Sequence, residues 1–466
     1  MANETIAAIA TPLMQGALGV LRISGPDAVA AADRIFTAKS GKKLAALRGY
    51  TAAYGALHTA GSACESGAQR AEKELDDCVA LVFRAPHSYT GEDCVEFDCH
   101  GGPYVMRAAL GAALGAGARL AQPGEFTKRA FLAGKMDLTR AEAVMELITA
   151  KSGEAARAAE AQREGALFRR VQRIRARLLE ISADICAYVD FPDEDIPSLS
   201  PQSLKKELRE ISQELAACAG TYDGSRMLRD GVAAAIAGRP NVGKSTLMNL
   251  LAGFDRSIVT EIPGTTRDVV EQRISFAGAP LVLCDTAGLR ATDDPVESIG
   301  VTRAKNTVGR AELVFAVFDA SRELTPEDKA LLKMLDEERT VIILNKTDLP
   351  QKIDEEYIKN KYRQIVKMSA KTGEGIHELE KAVKKIINAG TADPSEGMIA
   401  NLRQLECINE AGDGAQAALG ALADGMTLDA VSTGVAQALG GIAKLTGENV
   451  SEETINRVFE KFCVGK

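Results

Sequence analysis

No uninterrupted apolar run in the 466-residue chain approaches the ~20 residues that a membrane-spanning helix needs. Residues 1–12 hold no basic stretch followed by an apolar core, so no export signal is read there and the expectation is a cytoplasmic protein. None of the nine cysteines has a C-x-x-C partner, which leaves neither a zinc finger nor a disulfide framework to staple the fold; reduced thiols are expected. Only 15 prolines, beside 46% hydrophobic and 26% charged residues, exclude a largely disordered chain. Positive charge is in short supply. A net charge of −8 excludes a whole-molecule electrostatic footprint for nucleic acid, so any RNA contact must be local.

What is present starts with Gly238-Arg239-Pro240-Asn241-Val242-Gly243-Lys244-Ser245-Thr246. It lies between the apolar run Val232–Ala237 and Leu247-Met248-Asn249-Leu250-Leu251, so the G-x-x-x-x-G-K-S pattern joins a buried strand to an amphipathic helix. Glycines let backbone amides curl around phosphate oxygens, and the helix N-terminus adds a favourable dipole. Lys244 reaches the β- and γ-phosphates, and Ser245 is placed to ligate Mg²⁺. Further on, Thr260-Glu261-Ile262-Pro263-Gly264-Thr265-Thr266-Arg267-Asp268 brings a second hydroxyl, Thr266, for Mg²⁺. Asp285-Thr286-Ala287-Gly288 follows a strand-like run and offers an acid for hydrated Mg²⁺ and a glycine amide for the γ-phosphate. Asn345-Lys346-Thr347-Asp348 follows another strand, and Asp348 can accept from guanine N1–H and the 2-amino group, which adenine cannot offer. Ser369-Ala370-Lys371 completes the pocket. Five motifs in this order predict a GTP-binding, Ras-like doubly wound α/β domain.

Position 289 is leucine, where many such GTPases place the glutamine that orients water. Another group must do so, and Glu297 is the nearest acid with an apolar lead-in. No arginine finger is identifiable either; the Asn241 amide oxygen offers a place for a monovalent cation beside the phosphates.

Length alone suggests about three domains, at roughly 100–200 residues each. Residues 1–120 mix strand-like runs (Gly19–Ile23, Val79–Phe83, Cys94–Phe97) with helical ones (Ala28–Phe36, Tyr104–Leu114), an α+β pattern. On sequence physics alone Arg22, His100 and their neighbours read as edge-strand charges and a satisfied histidine, or as a binding site. From Gln122 helical periodicity runs through Leu138–Ala150, Glu154–Ile185 and Leu204–Ala217, and it resumes after residue 400. The expected division is an α+β domain at 1–120, a discontinuous helical domain at 121–225 and 391–466, and the GTPase domain inserted at 226–390. Arg169, Arg173 and Arg177 share one helix face, either as an RNA-facing stripe or as a solvated face paired with acids.

Asn241, Gly264-Thr265-Thr266-Arg267-Asp268, Asp285-Thr286-Ala287-Gly288-Leu289-Arg290, Gly91-Glu92-Asp93, Pro123-Gly124-Glu125-Phe126 and Cys463-Val464-Gly465-Lys466 together resemble the family of tRNA-modifying GTPases MnmE, also called TrmE. The resemblance covers essentially the whole chain. It implies a homodimer through the N-terminal domains, with a 5,10-methylenetetrahydrofolate site (5-formyltetrahydrofolate as analogue) contacted by Arg22, Glu96, Lys135 and Lys466. It also implies a GTPase domain that dimerises around K⁺, held by Asn241, Thr260, Ile262 and Thr265, with Ser245 and Thr266 on Mg²⁺ and Glu297 positioning water. Cys463 would lie near the folate. Such proteins form a heterotetramer with an FAD-containing partner, MnmG, and place an aminomethyl-type group on C5 of the wobble uridine of certain tRNAs. Two other readings stay open: a ribosome-assembly GTPase switch, and a folate-binding scaffold whose GTPase gates a partner enzyme.

Overall fold

The computed structural model describes residues 4–59, 73–190, 200–254, 272–283, 308–309, 311–388 and 393–466. They belong to two compact units, Met1–Met145 with Thr446–Lys466, and Glu146–Leu445.

In the first unit, strands β1 (Ile6–Ile9), β2 (Leu18–Ser24), β3 (Phe36–Ala38), β4 (Thr51–His58), β5 (Glu74–Phe83), β6 (Cys94–His100) and β7 (Arg119–Leu120) form one sheet. Its order is β3-β4-β5-β6-β2-β1-β7, antiparallel throughout except for the parallel β1–β7 pair. Period-two alternation gives the sheet two different faces. Ala7, Leu21, Ile23, Val95 and Phe97 share a core with the helices Ala28–Ile35 and Pro103–Gly115. Ile6 and Ala8 point the other way, onto Phe126 of the helix Glu125–Leu132. Ala8, Arg22 and Glu96 are register partners across β1, β2 and β6, so one cation and one acid stand side by side on that second face. Arg22 is therefore on an interior strand, not at an edge.

The helical periodicity after Gln122 does not begin a separate body. Phe126 belongs to the second face of the first sheet, and Leu138 and Ala141 pack with Ile455 and Phe459 of the helix Glu452–Phe459 and with Phe462 just beyond it. Residues 121–145 and 446–466 thus join the first unit, where the sequence-based boundaries put them with the helical domain. Burying these aromatic side chains outweighs the continuity of local periodicity.

In the second unit, the helices Ala166–Asp190, Pro201–Ala219, Leu402–Ala423 and Leu428–Thr446 supply one core through Leu167, Ile174, Leu208, Ile211, Ala411, Ala418 and Val435. The long helical run expected from Glu154 breaks at Gly165 (φ +87°), separating Gly153–Arg163 from Ala166–Asp190. Of the three arginines expected on one face, Arg177 donates to Glu207, Glu210 and Glu214 at 2.5–3.1 Å, while Arg169 donates to the Glu164 carbonyl at 2.7 Å.

The same unit contains strands β8 (Val232–Ala237), β9 (Gln272–Phe276), β10 (Ala279–Leu283), β11 (Leu313–Asp319), β12 (Thr340–Asn345) and β13 (Ile365–Lys367). Their order is β13-β12-β11-β8-β10-β9, parallel except for the β9–β10 hairpin. β11 and β12 are buried along their whole lengths, as expected of a parallel sheet covered on both faces. Two cores flank it, one holding Leu247, Leu251 and Leu379, the other Leu332, Leu335 and Tyr362. Among the described residues no helix is long and apolar enough to cross a membrane.

Candidate functional sites

Beyond the carboxyl ends of β8, β11 and β12 lie the loops where an open parallel sheet binds ligands. The loop after β8 is a backbone cradle. A Cβ at Gly238 (φ +148°) would stand 2.4 Å from the Val317 carbonyl, and one at Gly243 (φ +103°) would stand 2.1 Å from Asn345 Nδ2. Only glycine fits either place. Lys244 opens the helix Lys244–Phe254 and donates from Nζ to the carbonyls of Gly238 and Arg239, both at 2.7 Å. Burial lowers its pKa. Val242 is buried, while Asn241, Ser245 and Thr246 are exposed at the mouth. Anions can be met here by amides and an ammonium, with a hydroxyl at the helix head for a hard cation.

Asn345, buried at the end of β12, connects three loops. Its Nδ2 donates to the Val242 carbonyl at 2.8 Å and its Oδ1 accepts from the Ala370 amide at 2.9 Å. An alanine there would leave both backbone groups without a partner, at about 1–3 kcal/mol for each buried group. Asp348 is exposed, and its Oδ1 accepts from Ser369 Oγ at 2.8 Å, which aims the carboxylate. Lys371 is exposed beside buried Ala370. Lys346 adopts a left-handed backbone (φ +68°), and its Nζ donates to the Asn241 carbonyl at 2.8 Å and to Asp319 Oδ2 at 2.6 Å. Sequence reasoning missed Asp319. The available signal was its place as the one acid closing the apolar strand Leu313–Asp319.

Thr260, Glu261, Ile262, Pro263, Gly264, Thr265, Thr266, Asp285, Thr286, Ala287, Gly288 and Glu297, all expected near the phosphates, lie outside the described residues.

The first unit holds a second site on the Arg22 face of its sheet. Arg22 Nε donates to Glu96 Oε1 at 2.6 Å, and its guanidinium carbon lies 5.6 Å from the Tyr89 ring centroid and 5.5 Å from that of Phe126. Arg22 also donates to the Gly465 carbonyl at 3.3 Å. The tail holding Gly465 is fixed by a bridge between Val464 and Pro123 and by the Phe126 amide, which donates to the Lys466 carbonyl oxygen at 3.2 Å. Gly465 (φ +98°) passes so close to β1 that a Cβ would stand 2.5 Å from the Ile9 carbonyl. Lys466 comes near Arg22; burial, then that neighbouring charge, lower its pKa. Three of the four expected residues, Arg22, Glu96 and Lys466, thus converge.

The fourth, Lys135, donates from Nζ to the carbonyls of Pro86 (2.8 Å) and Ser88 (2.5 Å), bracing the loop that carries Tyr89. Cys463 is exposed in the tail and its carbonyl accepts from the Gly124 amide at 3.3 Å. His100 pairs with Asp76 at 2.6 Å, and that hydrogen bond raises its pKa. Tyr89 and Phe126 escaped sequence reasoning, as did the network behind them. There Arg129 donates to Glu92 and Glu125, and Arg119 to Glu125, at 2.8–3.1 Å. A cation between two rings, beside a carboxylate, suits a flat polar ring system carrying its own donors and acceptors.

Two family models match the chain: "MnmE helical domain" over residues 138–463 and "GTP-binding protein TrmE N-terminus" over residues 5–135. The tRNA modification GTPase MnmE of Symbiobacterium thermophilum is 42% identical over 469 residues, covering 100% of both chains. That of Acetivibrio thermocellus is 39% identical, covering 100% of this chain and 99% of its own. Among solved structures, the G domain of the T. maritima FeoB iron transporter is similar at 29% identity, covering 33% of this chain and 98% of that one, with a TM-score of 0.25. The curated relatives match the flanking domains as well as the nucleotide motifs, and those flanks are where a ribosome-assembly GTPase would differ.

Proposed function

The chain belongs to the MnmE family of tRNA modification GTPases, and from that premise we propose that it hydrolyses GTP to GDP and phosphate in the modification of tRNA. The observation that carries this reading is Asn345. Its amide ties the phosphate loop to the loop holding Ser369 and Ala370, and Asp348 stands between them with its carboxylate aimed by Ser369. That arrangement suits guanine on one side and phosphates on the other. Asp348→Asn tests it. An amide at 348 offers a donor to the 2-oxo group of xanthine where the carboxylate accepted from the 2-amino group of guanine, so the variant should lose GDP by at least about 100-fold and gain XDP. Unchanged GDP affinity by calorimetry would remove Asp348 from base recognition.

The finer reading follows the family. The uridine is the wobble base U34, modified with a 5-carboxymethylaminomethyl or aminomethyl group, and the work is shared with an FAD-containing protein of the MnmG type in the cytoplasm. Ser245, exposed at the helix head, and Thr266 would hold Mg²⁺, which neutralises charge on the phosphates. Asn241, Thr260, Ile262 and Thr265 would hold K⁺, and Glu297 would position water. Arg22, Glu96 and Lys466, with Tyr89 and Phe126, form a set of donors, an acceptor and rings that suits a reduced folate, with methylenetetrahydrofolate as the carbon source. Lys135 would serve that site by holding the 86–88 loop. Cys463 would act in the tRNA chemistry and not in GTP hydrolysis.

A further inference from the structure

Lys346 is the one described side chain whose charged end joins the guanine loop to the carbonyl of Asn241 in the phosphate loop. A lysine on a loop is free to rotate about four side-chain bonds, and fixing it costs rotamer entropy. Something must hold it, and the group that does is Asp319. This acid closes β11, is 8% exposed, and its Oδ2 lies 2.6 Å from Lys346 Nζ. Its other oxygen, Oδ1, accepts from the Ser321 amide at 3.0 Å and from Ser321 Oγ at 2.6 Å, so the carboxylate is itself locked in direction. The next residue is pinned as well: the Ala320 amide donates to the Asn345 carbonyl at 2.8 Å. Asp319 thus stands on a rigid, buried strand and reaches out to the end of a long side chain.

The far end of this arrangement is Asn241, whose backbone is left-handed (φ +66°) at a non-glycine position. Its carbonyl accepts from Lys346 Nζ at 2.8 Å. Each of the two side-chain hydrogen bonds of Lys346 involves its ammonium, and the one to Asp319 has charge on both sides.

We propose that Asp319 is a positioning residue for nucleotide binding: through Lys346 it fixes the backbone of Asn241, so that the base loop and the phosphate loop are preset in one geometry before the nucleotide arrives. The proposal rests on the GTP-binding reading and goes beyond it, since no motif of that reading includes residue 319. In this proposal Asp319 acts through Lys346 and not on the nucleotide directly.

The test is a double-mutant cycle on the full-length protein, with Mg²⁺·GDP binding measured by calorimetry for the wild type, Asp319→Asn, Lys346→Gln and the double variant. Asp319→Asn keeps the shape and removes the charge, and should weaken GDP about tenfold, the worth of one charge-assisted hydrogen bond. In the Lys346→Gln background the same change should cost less than twofold. An equal loss in both backgrounds would overturn the proposal, because Asp319 would then act on the fold and not through Lys346. Wild-type affinity in Asp319→Asn would overturn it too. Should Asp319→Asn fail to fold, Ser321→Ala decides: it removes one of the two hydrogen bonds that hold Oδ1 of the carboxylate and should weaken GDP in the same direction, by less, and again only where Lys346 is present. A wild-type protein that binds no GDP would instead defeat the GTP-binding reading itself.

Discussion

Arg22 shows how one side chain can carry meaning that neither its type nor its neighbours in sequence reveal. In the chain it is a lone cation in Val20-Leu21-Arg22-Ile23-Ser24; in the structure the register of three strands sets it beside Glu96, and two rings close over it. Strand alternation was legible, so the face was predictable in principle. The partners were not, because Tyr89, Phe126 and Gly465 arrive from three distant segments whose approach is set by packing. Lys135 was assigned by motif, and two of its three ammonium donors are held by the Pro86 and Ser88 carbonyls, a role that motif alone did not reveal. If the Arg22 face is the folate site, Glu96→Ala should weaken 5-formyltetrahydrofolate binding at least tenfold in calorimetry, since a cation that lost its acid no longer presents a fixed pattern of donors. An unchanged dissociation constant would place the folate elsewhere.

Elements rather than residues decide how firmly that face is held. The helix Glu125–Leu132 begins at Gly124 (φ +66°) with Glu125 in its first turn, where a carboxylate favours the helix dipole. Burial pushes the Glu125 carboxyl up, but hydrogen bonds from Arg119, from the Gln122 amide and from Arg129 outweigh it and hold the group at about 2, below the ordinary 4.5. A depressed carboxylate contributes stability that is fully present above its unfolded value and is lost as pH falls through its folded one. Thermal melts should therefore show the wild type losing more stability than Glu125→Gln between about pH 4.5 and pH 2, with parallel curves above pH 5. At this scale the sequence was read well for strands: the runs expected at Gly19–Ile23, Val79–Phe83 and Cys94–Phe97 are all strand. Helix ends fared worse. Gly165 stops a helix through a left-handed turn in the middle of an apparently continuous period, since helical patterning on both sides masks a single glycine.

For the molecule as a whole, the nucleotide motifs announced their domain because base and phosphate chemistry constrains residue type and spacing together. The absence of a glutamine at 289 belongs to this scale, since it asks for help from outside the phosphate loop. Under the ion reading, a second copy of the chain orders the loop over K⁺, and an arginine finger's share, roughly 10³–10⁵ in rate, falls to the cation. GTP turnover should accordingly be at least 100-fold faster in K⁺ than in Na⁺ and should rise with protein concentration. Steady-state rates in the two salts across a dilution series check both; equal rates would dismiss the ion.

The aromatic contact between Phe131 near the start of the chain and Phe459 near its end, with rings 6.3 Å apart, has a bearing on how the protein is born. Translation runs from one end, and a ribosome adding ~5–20 residues per second takes roughly 15–60 s to travel from Leu138 to Phe459. Throughout that interval the nascent first unit has Phe126, Phe131 and Leu138 but lacks the side chains that cover Leu138 and the tail that meets Arg22. The whole nucleotide domain is made, and has time to fold, while its older neighbour waits. A premature stop just before Ile455 would therefore leave every residue of the guanine pocket in place while removing Phe459 and Phe462 from the Leu138 cluster and the Gly465 carbonyl from Arg22, so under the folate reading such a product would bind nucleotide as before and be betrayed by weakened folate binding.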